Sequence, residues 1–238
     1  MKKLGIIGGA SWSSTALYYD QINLGVAQRL GGLHSAPLAI ESLDFAPLAA
    51  MQQAGDWAGV ARVTAAAAAR LAASGAEGLV LASNTLHKVE AAVTEASGLP
   101  VINIAEVTAD RIVADGRGYI ALLGTRFTMH EEFSLDRYGD RGIVLHMLAP
   151  EWSREVDRII YEELAAGRVM RESQRKLKTL ITELAKQKVQ AIVLGCAELG
   201  LAIDVRANVL PVYDSCAIHA RAAVEWMLAD EQQARAAA

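Results

Sequence analysis

The chain is poor in the residues that mark several protein classes. Among its 238 residues there are two cysteines, Cys196 and Cys216, too few for a disulfide scaffold or a cysteine-rich metal site. Aromatic residues make up 5%. The net charge of −4, without a Lys/Arg run, excludes a broad nucleic-acid surface. No run reaches the roughly 18 apolar residues of a membrane helix. The opening MKKLGIIGGAS breaks at Gly8-Gly9 after only a few apolar residues, which does not suit a signal peptide. The five histidines, His34, His87, His130, His146 and His219, show no metal-ligand spacing, so no metal is expected. GIIGGAS is not G-x-G-x-x-G, no Walker loop is present, and Gly9–Ser13 misses the nucleophile elbow, so no nucleotide cofactor is expected. What remains is 53% hydrophobic and 21% charged, an ordered chain expected to be a cytoplasmic protein with reduced thiols.

Short apolar runs alternate with amphipathic ones. Strands are expected at Leu4–Ile7, Leu38–Phe45, Gly78–Ala82, Val101–Ile104, Tyr119–Leu123, Ala191–Leu194 and Leu210–Tyr213. Helices are expected at Ser14–Leu30, from an Asp56 cap to Ser74, and at Thr85–Ser97, Ala105–Ala114, Glu151–Ala166, Arg171–Lys186 and Ala217–Leu228, before a frayed tail EQQARAAA. This alternation predicts an α/β fold with mainly parallel sheets covered by helices. Ligands of such folds sit beyond the carboxyl ends of strands, so the residues after each strand are those to read for chemistry.

The chain also repeats itself. KLGIIGG resembles YIALLGT, with Gly8 matched to Gly124. AARLAASGAEGLVLAS resembles ITELAKQKVQAIVLGC, read as matching Ala82 to Cys196, and PVINIAEVTADRIV resembles PVYDSCAIHARAAV. Three matches in one order predict two pseudo-symmetric lobes flanking a cleft: 1–98 with 210–238, and 99–209. The strand-end segments Gly8–Trp12, Ala82–Thr85, Gly124–Thr128 and Gly195–Glu198 offer small and hydroxyl side chains. Helix N-termini there would suit a carboxylate or phosphate, and one site per lobe would suit a small dianion.

Several segments resemble the aspartate/glutamate racemases, a family of cofactor-independent amino-acid racemases: LGIIGGASWSSTALYYDQIN, LGGLHSAPLAIESLDF, LVLASNTLHKV, IALLGTRFTM, IIYEELAAG, LGCAELG and PVYDSCAIHA. The resemblance implies an isomerase with a pair of cysteines, one per lobe, flanking the substrate Cα. One thiolate would remove the proton and the other thiol would return one. It also implies an acidic amino acid or dicarboxylate as ligand, a homodimer, and no cofactor.

Cys196 supplies the second-lobe thiol. The first-lobe thiol is expected at position 82 in a Cys-Thr-Asn-Thr pattern, where the chain has Ala82-Ser83-Asn84-Thr85. Ala82 thus marks a missing thiol, and Ala197 departs from the Cys-Thr-Glu of the second motif. An introduced replacement at 82, a natural one-thiol member such as a lyase or a decarboxylase of the arylmalonate type, and a noncatalytic dicarboxylate-binding protein all fit. Ser83 could stand in for the thiol only with an adjacent base, and His87 is the nearest histidine. Ser11, Gln52, Ser83, Asn84, Thr85, Thr125 and Ala197 are the expected substrate contacts. Asn84, Thr85 and Thr125 could equally be caps, and Ser11 a turn serine. Glu198 could assist the thiol or cap a helix. Arg126 could steer an acidic substrate or pair with Glu131 or Glu132. Arg168 lies near a basic clamp of some relatives. Cys216 reads as a packing residue.

Overall fold

The computed structural model describes the backbone of residues 1–236 and side chains as far as Asp230. The side chains of the expected frayed tail all lie outside the described residues, the backbone helix expected to end at Leu228 runs over Ser215–Ala236, and residues 237–238 lie outside the described residues altogether. No helix among the described residues is long and apolar enough to cross a membrane.

Eight strands form two four-stranded parallel sheets. The first holds β1 (Leu4–Gly8), β2 (Leu38–Ser42), β3 (Gly78–Leu81) and β4 (Val101–Ile102), in the order β2-β1-β3-β4. The second holds β5 (Tyr119–Gly124), β6 (Val144–Leu145), β7 (Ala191–Gly195) and β8 (Val212–Asp214), in the order β6-β5-β7-β8. The same connectivity thus occurs twice, with the repeated segments on equivalent strands. The central strands β1, β3 and β7 are buried throughout, as strands covered on both faces by helices must be. The edge strands β2, β4, β6 and β8 are short or partly exposed.

The chain divides into two compact units, Met1–Asn103 with the chain from His219 on, and Ile104–Ile218. The sequence reading cuts at 98/99 and 209/210 instead. The difference lies in two edge strands: Val101–Ile102 pairs with β3, and Val212–Asp214 pairs with β7. Sequence periodicity does not show which sheet an edge strand joins.

Local chemistry sets the helix ends. Ser11 caps Trp12–Leu30, Asp44 caps Phe45–Ala54 and Asp56 caps Trp57–Ala73, each side-chain oxygen accepting a backbone N–H. The Trp57–Ala73 helix lies close to its unit's core because Ala67 and Ala68 are fully buried. Several expectations change. Phe45–Ala54 is a helix, not the end of a strand and a loop. The segment expected as one helix over Thr85–Ser97 begins as a 3-10 turn, Thr85–Val89, before the α-helix Glu90–Ser97. The segment expected as one helix over Glu151–Ala166 is α-helical at Pro150–Arg158, π-helical at Ile159–Glu163 and 3-10 at Leu164–Ala166. Arg126–His130 and Glu132–Gly139 are short helices that no apolar period announced.

A buried polar chain ties the ends of the first unit together. His219 Nε2 donates to the Ile102 carbonyl at 2.7 Å, so its Nδ1 accepts from the Tyr18 hydroxyl, also at 2.7 Å. Burial, with the nearby His87 ring, pushes the His219 pKa down to about 3. A histidine that is neutral in the fold and titrates near 6.5 when unfolded binds fewer protons in the folded state. Its contribution is complete above pH 6.5 and is lost as pH falls from 6.5 toward 3. His219→Gln is expected to flatten the stability–pH slope in that window by up to about 1.4 kcal/mol per pH unit. Urea unfolding across pH 4–7 measures it, and an unchanged slope would refute the assignment.

Candidate active site

The expected site residues lie at or beyond carboxyl ends of strands in both units. In the first unit the β1 loop is held by Thr15, whose Oγ1 accepts from Gly9 N at 2.7 Å and donates to the Ser11 carbonyl at 3.0 Å. Gly9 has φ +91°, and a Cβ there would stand 2.0 Å from the Leu43 carbonyl oxygen, so only glycine fits the turn. Ser11 is buried; its Oγ accepts from Ser14 N at 3.4 Å and lies 2.7 Å from Ser13 Oγ. Ser14 Oγ donates to the Ala82 carbonyl at 3.0 Å, joining this loop to the end of β3. Asn84 and Thr85 are buried at the start of the 3-10 turn, and Asn84 makes no capping bond to it. Gln52 is 2% exposed on the Phe45–Ala54 helix, not on a loop. His87 Nδ1 donates to the Ser83 carbonyl at 3.1 Å. That nitrogen thus serves the backbone at Ser83, not its hydroxyl. Lys88 lies over the Trp57 ring, 4.0 Å from its centroid.

In the second unit Thr125 and Cys196 follow the paired ends of β5 and β7, where Gly124 meets Gly195. Thr125 is the cap that the sequence suggested: its Oγ1 accepts from Thr128 N at 3.4 Å. Arg126 bonds Asp157, through its backbone N–H to Oδ1 at 2.7 Å and its guanidinium to Oδ2 at 3.3 Å, a pairing not among the sequence options. Arg168 donates to the Glu162 carbonyl at 2.5 Å. Cys216 is 2% exposed and its N–H bonds Asp214 Oδ1 at 2.9 Å, as a packing residue at a helix start would. Among the described residues no group of three or more His, Cys, Asp or Glu is arranged to hold a metal ion.

Cys196 lies just beyond β7, buried beside Glu198. Its Sγ donates to Glu198 Oε2 at 2.9 Å in a buried setting. Burial raises the thiol pKa well above its ordinary value, and the Glu198 charge adds to the rise. The resting thiol is therefore protonated, with a carboxylate already in place to receive its proton. Glu198→Gln removes that charge and must bring the thiol pKa down. Alkylation of Cys196 by iodoacetamide at neutral pH is expected to become several-fold faster, read by mass spectrometry against the buried Cys216. An unchanged rate would mean that Glu198 does not control the thiol.

Tyr161 is a neighbour that sequence reasoning missed. Its phenol pKa is raised by burial and by the charge of Asp157. It sits in the π-helical turn, and such turns recur at functional sites. The only signal was its place inside IIYEELAAG, since a π turn leaves no period to read.

Strand register corrects the pairing of the two halves. Ile7 pairs with Leu81, and Leu123 with Leu194. Ile7 and Leu123 each precede the glycine that ends their strand, Gly8 and Gly124. The residues after Leu81 and Leu194 are Ala82-Ser83 and Gly195-Cys196. Ser83, not Ala82, therefore holds the place in its sheet that Cys196 holds in the other. Aligned end to end, AARLAASGAEGLVLAS and ITELAKQKVQAIVLGC give the same match. Ala82 is 1% exposed and aligns with Gly195, whereas Ser83 is partly exposed.

A sequence model of the Asp/Glu/hydantoin racemases matches residues 7–223. The chain is 41% identical to a candidate Asp/Glu racemase from Yersinia pestis, whose crystal structure superposes with a TM-score of 0.88 over 96% of this chain and 100% of that one. It is 31% identical to an aspartate racemase homologue from Pyrococcus horikoshii OT3, with a TM-score of 0.79 over 95% and 99%. The Picrophilus torridus aspartate racemase shares the fold at 17% identity, with a TM-score of 0.76 over 95% and 94%.

Proposed function

Because the chain belongs to the Asp/Glu/hydantoin racemase family, we propose that it moves a proton at the Cα of an acidic amino acid, without an organic cofactor, and that Cys196 is its thiol acid/base. The observation that carries this reading is the Cys196 thiol bonded to Glu198 at 2.9 Å just beyond β7. Ser11, Gln52, Asn84, Thr85, Thr125 and the backbone at Ala197 are assigned to hold the substrate. The reading carries with it a homodimer in the cytoplasm.

The resting thiol is a proton donor first. To act as a base, Cys196 passes its proton to Glu198, and the thiolate then takes the Cα proton. The S–H bond forms as the Cα–H bond breaks, and the electron pair left on Cα spreads into the substrate carboxylate. That developing charge needs fixed hydrogen-bond donors, which the hydroxyls and amides at the strand ends can supply. Return of the proton from Cys196 restores the starting enantiomer. Inversion needs a second donor, and we assign it to Ser83 from its equivalent place in the first sheet. A serine hydroxyl is a far weaker acid than a thiol, so exchange outruns inversion.

Proton NMR in D₂O with L- and D-aspartate and L- and D-glutamate, followed by chiral chromatography, tests this. Deuterium should enter Cα of one enantiomer faster than the other enantiomer appears. Equal rates of exchange and inversion would sink the one-thiol mechanism. No exchange with any of the four would turn the reading to a lyase or a dicarboxylate-binding protein.

A further inference from the structure

The two peptide carbonyls that flank Ser83 are each held by a side chain. Ser14 Oγ donates to the Ala82 carbonyl at 3.0 Å, and His87 Nδ1 donates to the Ser83 carbonyl at 3.1 Å. Ser14 and His87 are both buried, so water competes little for either bond. The second bond replaces a backbone one. In an α-helix the Ser83 carbonyl would accept from the backbone N–H of His87, four residues on. Here that N–H bonds the Asn84 carbonyl at 3.2 Å, the segment is a 3-10 turn, and the imidazole serves the Ser83 carbonyl instead.

The second unit holds the equivalent carbonyl without a side chain. Strand register matches Cys196 to Ser83, so Gly200 stands where His87 does. The Cys196 carbonyl accepts from the Leu199 backbone N–H at 3.2 Å. The His87 imidazole is itself fixed. It packs edge-on against the His219 ring, with centroids 5.8 Å apart. His219 is fully buried and bonded to the Ile102 carbonyl and the Tyr18 hydroxyl. Tyr18 and Ser14 stand one turn apart on the Trp12–Leu30 helix. Both supports of Ser83 thus lead to the helix that follows β1.

We infer that Ser14 and His87 are positioning residues for the Ser83 hydroxyl. By fixing the peptide planes on either side of Ser83, they set the direction of its Cα–Cβ bond. This rests on the reading that makes Ser83 the second proton donor, and it names what aims that donor. Serine is a weak acid, so its rate depends heavily on placement. A misplacement of about 1 Å can cost about 10²-fold in rate. Neither Ser14 nor His87 exchanges a proton in this role.

The test is the ratio of inversion to Cα deuterium exchange for aspartate and glutamate in D₂O. It compares the wild type with His87→Leu, His87→Asn and Ser14→Ala in the full chain. His87→Leu is expected to lower the ratio by at least about tenfold, because the Ser83 hydroxyl loses its aim. Ser14→Ala should lower it several-fold, and it is expected to fold even if His87→Leu does not, because alanine suits a helix. His87→Asn keeps an N–H donor near the place of Nδ1 and should restore most of the ratio. Partial unfolding lowers exchange and inversion together and leaves the ratio unchanged. A long-range ¹H–¹⁵N spectrum of the wild type should show the His87 ring with its proton on Nδ1, whatever the turnover. A ratio unchanged in both His87→Leu and Ser14→Ala overturns this inference alone, as does a His87 ring without a proton on Nδ1. Absence of exchange in the wild type overturns the racemase reading, and this inference with it.

Discussion

Ser83→Cys is expected to raise the inversion of aspartate or glutamate by roughly 10²-fold or more, the usual worth of a well-placed acid or base. The substitution puts a second thiol at the place in the first sheet that matches Cys196 in the second. A thiol ionises near 8.5 when unperturbed, far below a serine hydroxyl, so it can return a proton that serine returns poorly. Ala82→Cys, the change that the repeat as first read from the sequence recommends, is expected to leave inversion unchanged. Ala82 is 1% exposed, and a sulfur added there would overpack the end of β3, at a cost of about 1–3 kcal/mol. The pair of variants is decisive because they differ by one position. Chiral chromatography of product from each, beside a urea melt, measures both effects. If Ala82→Cys rather than Ser83→Cys gains inversion, the register equivalence does not carry the chemistry.

Cys196→Ser is expected to lower Cα deuterium incorporation by roughly 10²–10⁴-fold while binding of the acidic amino acid stays within a few-fold. The hydroxyl keeps the approximate shape and a hydrogen bond toward Glu198, and loses the readily formed thiolate. Calorimetric binding beside the D₂O exchange rate separates an enzyme from a binding protein. Exchange as fast as in the wild type would remove Cys196 from the acid/base role. The double variant Ser83→Cys/Cys196→Ser sharpens the test: its single thiol belongs to the other half, so the enantiomer that exchanges faster should reverse. The two substitutions touch one reaction, and their effects are not expected to add. A double variant that keeps the wild-type preference would mean that Ser83 does not supply the second donor.

Much of this protein was legible in its sequence. The continuous apolar runs at Leu4–Ile7, Gly78–Leu81 and Ala191–Leu194 could be nothing but buried parallel strands, because amphipathic helices separate them and must cover both faces. The doubled connectivity was visible in three ordered repeats, and Cys196 stood out as a thiol immediately after such a strand. Asp56, Gly98 and Thr125 marked helix ends through local side-chain and backbone chemistry that needs no distant contact.

Other features were decided only by the folded chain. Val101–Ile102 and Val212–Asp214 are too short to declare their sheets, and only hydrogen-bond pairing assigns them. Gln52 is buried because the Phe45–Ala54 helix turns that face inward, which its small and apolar neighbours do not reveal. The Arg126–Asp157 pair joins segments that lie far apart along the chain. The counterpart of Cys196 turned on a single residue, Ala82 or Ser83. A strand changes face with every residue, so similarity that tolerates a slip of one cannot choose between them, whereas the pairing of Ile7 with Leu81 and of Leu123 with Leu194 can.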